Sequence, residues 1–245
     1  MALVQALAFS VRERPDLTEQ AWDLTNDTLP EYNNHGDVLN RYWGRLTEER
    51  PDFQFHVLNG DELIARARSI PVRWDGTVES LPAGIDGAIA SGFDEGGANV
   101  LCALLIAVPR AHQGTGVSRI ALEAMVEIAR RHDLGAVIAP VRPSWKERYP
   151  LAPIERYADW RRADGLPFDP WMRVHARLGA AILRAEPRSL RITGTVSEWE
   201  SWIELALPES GDYVFPQGLT TLRVDRNADV GSYWEPNVWM HHAVS

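Results

Sequence analysis

Two hundred and forty-five residues, 45% hydrophobic and 24% charged, suit a folded chain with a sizeable core and exclude a disordered, fibrous or low-complexity one. A net charge of -9 repels polyanions, which sets aside nucleic acid and anionic membrane surfaces as default partners. The lone Cys102 permits no internal disulfide, and with no secretory leader pattern and no apolar run long enough to span a bilayer the chain is expected to be cytoplasmic.

Residues 4–11 read as an apolar strand that stops at a charged run before Pro15. Helical spacing follows, from Asp16 and Glu19 to Trp22 and Leu24, then through Tyr42, Trp43 and Leu46 until Pro51, so this stretch holds two helices or one broken at Pro30. Phe53, Phe55 and Val57 alternate, Asn59-Gly60-Asp61 turns, and residues 62–70 return as the second arm of a hairpin. Residues 72–98 are glycine-rich and acidic and read as a loop excursion. The continuous apolar run 100–108 has the character of a central strand covered on both faces, with Cys102 as a small hydrophobe inside it. A glycine-containing turn at 112–116 opens an amphipathic helix over 117–132, which Gly135 ends, and 136–141 supplies a second apolar strand parallel to the first. Residues 143–170 are proline-rich and aromatic and read as an inserted lid, in which Trp145, Trp160 and the adjacent Trp171 either wall an acceptor site or pack the lid. A helix over 171–178 closes at Gly179, and the final third, at 190–195, 199–207, 212–215, 219–224 and 233–240, is strand-and-turn material. The adjacent His241 and His242 cannot both face one ion from one strand, so they read as a terminal surface pair and no metal site is expected.

A strand that passes through a tight glycine turn into a helix leaves several backbone N–H groups pointing at one spot beside the positive end of the helix dipole, which suits phosphate oxygens. The segment Gln113-Gly114-Thr115-Gly116-Val117-Ser118 has this form, with small residues at 114, 116 and 118, and it is neither a Walker loop nor a dinucleotide fingerprint. On spacing alone a bare helix start after a turn explains it equally well.

With Gln113, a glycine three later and a small residue five later, this segment resembles the coenzyme A pyrophosphate loop of the GCN5-related N-acetyltransferases, whose pattern is Gln or Arg, two residues, Gly, one residue, Gly or Ala. Ser118 departs from that pattern at its last place. The resemblance implies a mixed α/β (α+β) fold: a mostly antiparallel central sheet with a splayed strand pair, flanked by helices. It implies acetyl-CoA, or another acyl-CoA, as co-substrate. Backbone groups of Ile106, Ala107 and Val108 would hold the pantetheine and thioester, and those of Gly114, Thr115, Gly116, Val117 and Ser118 the pyrophosphate. Arg110 and Arg119 flank the loop and either pair with phosphate or face water. In the family a tyrosine near the end of a later helix protonates the departing thiolate; His175 of His175-Ala176-Arg177-Leu178-Gly179-Ala180 stands in its place and either donates a proton or caps the helix.

The base is not singled out. Glu79, Asp94 and Glu95 lie in the 72–98 excursion as solvated carboxylates or candidate bases, and Glu235 and His241 join them if the tryptophan-rich terminal strand reaches the cleft. The expected activity is transfer of an acyl group, most simply acetyl, to an amine of a small molecule or peptide. Alternatives are a longer-chain acyltransferase of this fold, a non-catalytic module binding coenzyme A or a nucleotide, and a homodimer built on the tryptophan-rich tail. The length fits one domain over 1–245, with insertions at 72–98 and 143–170 and an extension after 224.

Overall fold

The apolar run at 100–107 becomes the central strand, and the rest of the chain is arranged on both sides of it. The computed structural model describes residues 6–25 and 28–244. The chain runs through β1 (Ala6–Ser10), α1 (Thr18–Thr25), α2 (Leu39–Tyr42), α3 (Arg45–Glu49), β2 (Gln54–Asn59), β3 (Glu62–Val72) and α4 (Gly84–Asp94). It continues through β4 (Val100–Ala107), α5 (Val117–Arg131), β5 (Ala136–Val141), α6 (Ile154–Ala158), α7 (Pro170–Arg177) and β6 (Ala181–Gly194). The last elements are α8 (Val196–Ile203), β7 (Gly211–Tyr213), β8 (Leu222–Asp225) and β9 (Val230–Ala243). Val4 and Gln5 of the expected first strand lie outside the described residues.

The strands form one sheet in the order β1-β2-β3-β4-β5-β9-β8-β7, with β6 on the far edge of β9. Every pairing is antiparallel except β4 with β5. The two faces separate by register. Ala65 and Ala67 of β3, Leu101 of β4 and Val137 of β5 pack under Val117, Ala121, Met125 and Ile128 of α5. On the same face, Ala139, Val141, Val238 and Met240 lie beneath Ile154 and Tyr157 of α6 and Met172 of α7. The opposite face buries Ile70, Cys102, Ile138 and Trp239 under Ala88 and Ile89 of α4, with Trp199 of α8 in the same cluster. Among the described residues no helix is long and apolar enough to cross a membrane.

Four expectations change. The 72–98 excursion contains α4, because its glycines permit contact rather than break the helix. Gly84 has φ +68°, and a Cβ there would stand 2.2 Å from the Ser189 Cα, while one at Gly92 would meet the Ile70 side chain at 2.5 Å. The helix therefore lies closer to β6 and β3 than side chains would allow, and this packing overrides glycine's poor propensity. Residues 199–207, read as strand material, begin inside α8, whose start carries a capping box: the Thr195 hydroxyl accepts from the Glu198 N–H and the Glu198 carboxylate accepts from the Thr195 N–H. Gly135 does not end α5; the helix stops at Arg131, Asp133 takes the left-handed conformation at φ 56°, and the Gly135 N–H donates to the Asn99 carbonyl at 2.9 Å. His241 and His242 are not a terminal surface pair, since β9 lies between β5 and β6 and His242 is buried.

The Gly179 cap is present at φ +84°, and the 143–170 insertion is a packed aromatic cluster in which Trp160 touches Tyr149, Tyr157 and Phe168. Asp169 organises it, accepting from Trp145 N–H and Tyr157 O–H with one oxygen and from Trp171 and Met172 N–H with the other. The only lysine, Lys146, is buried and donates to the carbonyls of Tyr149, Pro150 and Leu219, which ties the insertion to the segment before β8.

Candidate active site

β4 and β5 pair at only two rungs, Leu101 with Val137 and Cys102 with Ile138. Beyond them β4 stays on β3 as far as Ala107 and β5 stays on β9 as far as Val141, so the two central strands diverge and a cleft opens between them. Where they part, β4 carries a bulge: Ser69 faces Ala103 and Arg68 faces Leu105, which leaves Leu104 without a partner in the ladder. A bulge re-aims backbone groups, and this one does so at the apex of the cleft. Sequence reading did not find it, because the apolar run is unbroken through Leu104.

At the cleft's open end the chain turns through Pro109 to Gly116 into α5. Gly114 and Gly116 have φ +76° and +93°, and neither would meet an atom within 4 Å if it carried a Cβ, so the loop's outer side is open. Gln113 secures the loop by donating its amide to the Val108 carbonyl at 3.1 Å. Helix α5 has no side-chain cap, and among the described residues no protein acceptor is found for the backbone N–H groups of Gly114, Thr115, Gly116, Val117 and Ser118. Unpartnered donors converging at the start of a 15-residue helix form an anion cradle, and this is the observation by which the loop fits a pyrophosphate. Ile106 is half-buried and Ala107 and Val108 are buried along the approach, while Arg119 points outward and pairs with Glu123 at 2.9 Å.

His175 lies in the last turn of α7 and is only 2% exposed. Its Nδ1 lies 2.9 Å from Nε2 of His242, whose strand position faces Val137 at the closed end of the splay. The His175 Nε2 is buried without a hydrogen-bond partner. Burial, then the neighbouring His242, lowers the His175 pKa to about 3, and burial, then His241, lowers that of His242 to about 4. Both rings are neutral at pH 7.

The carboxylate candidates are dispersed. Glu79 is exposed on the segment between β3 and α4, and among the described residues it has no side-chain hydrogen bond or ion pair. Asp94 accepts from the Tyr42 hydroxyl at 3.0 Å, and Glu95 is an exposed C-cap. Glu235 is 3% exposed and engaged: its Oε1 accepts from Arg142 Nε at 3.0 Å and from Asn33 Nδ2 at 3.1 Å, and Tyr32 O–H lies 3.4 Å from Oε2. His241 sits on the opposite face against Trp74. Among the described residues no group of three or more His, Cys, Asp or Glu is placed to hold a metal ion.

These buried imidazoles give a stability prediction. His56 of β2 is also lowered to about 4, by burial and then by Arg68 and Arg66. Below pH 6.5 the unfolded chain takes up protons on all three histidines that the folded chain refuses, so stability falls with acidification. Asp86, buried and raised to about 6, opposes this by taking up its proton earlier when folded. The net loss expected between pH 7 and pH 6 is about 2 kcal/mol, read from urea midpoints at the two values; unchanged midpoints would mean that the imidazoles are charged in the folded chain.

No family model matches the chain. It is 28% identical over 267 aligned positions to the arginine N-acetyltransferase avaD of Aspergillus versicolor, which covers 94% of this chain and 91% of that protein. The loading GNATL domain of CurA from Lyngbya majuscula superposes with a TM-score of 0.61 at 15% identity, covering 98% of both chains. The chain has the fold of the GCN5-related N-acetyltransferases. A second structure of this fold, the GphF GNAT-like decarboxylase in complex with isobutyryl-CoA, gives TM-score 0.61 at 16% identity over 98% of this chain and 100% of that one.

Proposed function

We propose that this protein is an acyl-CoA-dependent N-acyltransferase that moves an acyl group, acetyl in the first instance, onto the amine of a small molecule. The observation that carries this reading is the set of unpartnered N–H groups from Gly114 to Ser118 at the mouth of a splayed and bulged strand pair. The loop holds the pyrophosphate of coenzyme A, and the free edge of β4 beside Ile106 and Val108 pairs with the pantetheine. The neutral amine attacks the thioester carbon and a C–N bond forms as the carbonyl pair moves to oxygen, where backbone donors at the bulge offset the charge. The intermediate collapses, the C–S bond breaks, and the proton lost by nitrogen ends on the thiol sulfur.

His175 carries that proton. The Leu178 backbone favours a proton on His242; in that arrangement His242 Nε2 accepts from His175 Nδ1, and His175 Nε2 keeps a lone pair that takes the amine proton and returns it to sulfur.

The test is thiol release from acetyl-CoA across an amine panel that includes L-arginine, the acceptor named for the Aspergillus relative, alongside the melting temperature with acetyl-CoA. Amine-dependent release and a rise in melting temperature are expected. An unchanged melting temperature at millimolar acetyl-CoA would overturn the reading.

A further inference from the structure

The acyl-transfer chemistry leaves one cluster of buried cations without a task. Arg66 and Arg68 of β3 are each 4% exposed, and His56 of β2, opposite Arg66 in the ladder, is fully buried. Arg66 Nε and Nη1 and both ring nitrogens of His56 have no hydrogen-bond partner, and Arg68 Nη1 donates only to the adjacent Ala67 carbonyl at 3.2 Å. Among the described residues no carboxylate pairs with either guanidinium, and burial holds both pKa values down near 10 with no acidic neighbour to offset it. Among the described residues the acid that acts on the cluster, Asp16, does so weakly through His56 and is already bound to Arg14 at 2.7 Å. Buried guanidinium groups are ordinarily paired, because an unpaired charge away from water is costly. Two side by side without a counter-ion mark a place where a ligand supplies it.

Register fixes that place. Ala65 and Ala67 face α5, so the alternate residues Arg66 and Arg68 project from the opposite face of the sheet. Arg68 stands beside Leu105 and Arg66 beside Ala107, the stretch of β4 that borders the open cleft just beyond the bulge. Leu105 is half-buried there, and Trp22 of α1 covers Arg66 with its ring 4.5 Å from the guanidinium carbon. The anion is thus met from the face of β4 away from α5.

We propose that Arg66 and Arg68 form a carboxylate subsite that holds the acceptor, so that the acceptor is an amine that also bears a carboxylate, with amino acids as the simplest class. This rests on the acyltransferase reading. A planar guanidinium takes a carboxylate through two parallel N–H donors, and the pair can fix the acceptor one strand away from the thioester edge of β4.

The experiment compares matched acceptors with and without the carboxylate, L-arginine against agmatine and L-ornithine against putrescine, in the wild type, Arg66→Met and Arg68→Met. The wild type is expected to favour the carboxylate-bearing member by about 30-fold in kcat/KM, and both variants to bring the two members within about threefold. L-Arginine or L-ornithine alone is expected to raise the wild-type melting temperature, with agmatine and putrescine inert and both variants unresponsive. Each methionine variant is expected to melt no lower than the wild type, because it removes an unpaired buried charge; a lower melting temperature with unchanged acceptor preference would make the arginines structural and overturn the proposal. Equal use of both members with active thiol release would overturn the subsite and leave the acyltransferase reading intact. Absence of thiol release would fall on that reading instead, and the amino-acid-dependent melting shift would then decide the subsite. An Arg68-dependent preference for malonyl-CoA over acetyl-CoA would put the carboxylate on the donor and overturn the assignment to the acceptor.

Discussion

Replacing Gly116 by valine is expected to remove nearly all of the melting-temperature rise produced by acetyl-CoA. Gly116 holds φ +93° as the residue before α5, and the space where a Cβ would project is open. Valine therefore meets no protein atom; it costs backbone strain of about 1–2 kcal/mol and places two methyl groups where phosphate oxygens approach the free N–H groups. At a ligand concentration 100 times Kd the wild type gains about 2.7 kcal/mol, and a 100-fold loss of affinity reduces that gain to about 0.4 kcal/mol. For a chain of this length the difference corresponds to roughly 5–9 °C, which differential scanning fluorimetry resolves. Arg119→Ala is the control, since Arg119 is mostly exposed and already held by Glu123; its shift is expected to remain near that of the wild type. A full shift in Gly116→Val would mean that the pyrophosphate does not sit at this loop.

The element order of the sheet was legible because strand and helix periods are local properties. The run at 100–108, the alternation from Phe53 and the amphipathic stretch at 117–132 each decide their own conformation, and the structure places all three within a residue of the bounds read, with Phe53 itself in the 3-10 turn before β2. Helix α4 was illegible for the opposite reason: its glycines are bad helix formers alone and become useful only against Ser189 and Ile70, residues distant in sequence. Helix α8 was legible in principle, since Thr195 and Glu198 spell a capping box, but the apolar residues after them also suit a strand.

The same division runs through the site. The glycine loop announces itself because left-handed backbone needs glycine at fixed spacing. The splay, the bulge at Leu104 and the His175–His242 contact depend on which strands lie side by side, and His242 is 67 residues from its partner. The buried arginines carry no signal at all, for Arg66 and Arg68 alternate with Ala65 and Ala67 as residues of a half-solvated strand would; burial by tertiary packing, with Trp22 of α1 over Arg66, makes them costly. Tryptophan density, by contrast, drew attention to the 143–170 insertion, where the rings pack on one another around Asp169.

His175→Ala is expected to lower kcat about 100-fold while leaving the acetyl-CoA melting shift unchanged. General acid–base groups contribute about that factor or more, and a ring with a pKa near 3 stands at the weak end because it is a poor base. The retained shift shows that the variant folds and binds, so the loss belongs to the chemical step. His242→Phe is expected to fall between the wild type and His175→Ala, since it leaves the His175 ring in place but frees the tautomer that His242 selects. The pH profile supplies a separate check. With both rings neutral, the wild-type kcat has no inflection from His175 near pH 6.5, and any acid limb belonging to this pair lies below pH 5. A limb near 6.5 that disappears in His175→Ala would show a solvated imidazole acting by the imidazolium route, with protonation of the thiolate as its task. Unchanged kcat in His175→Ala would assign the pair to packing and move the proton transfer to a water chain along the free edge of β4.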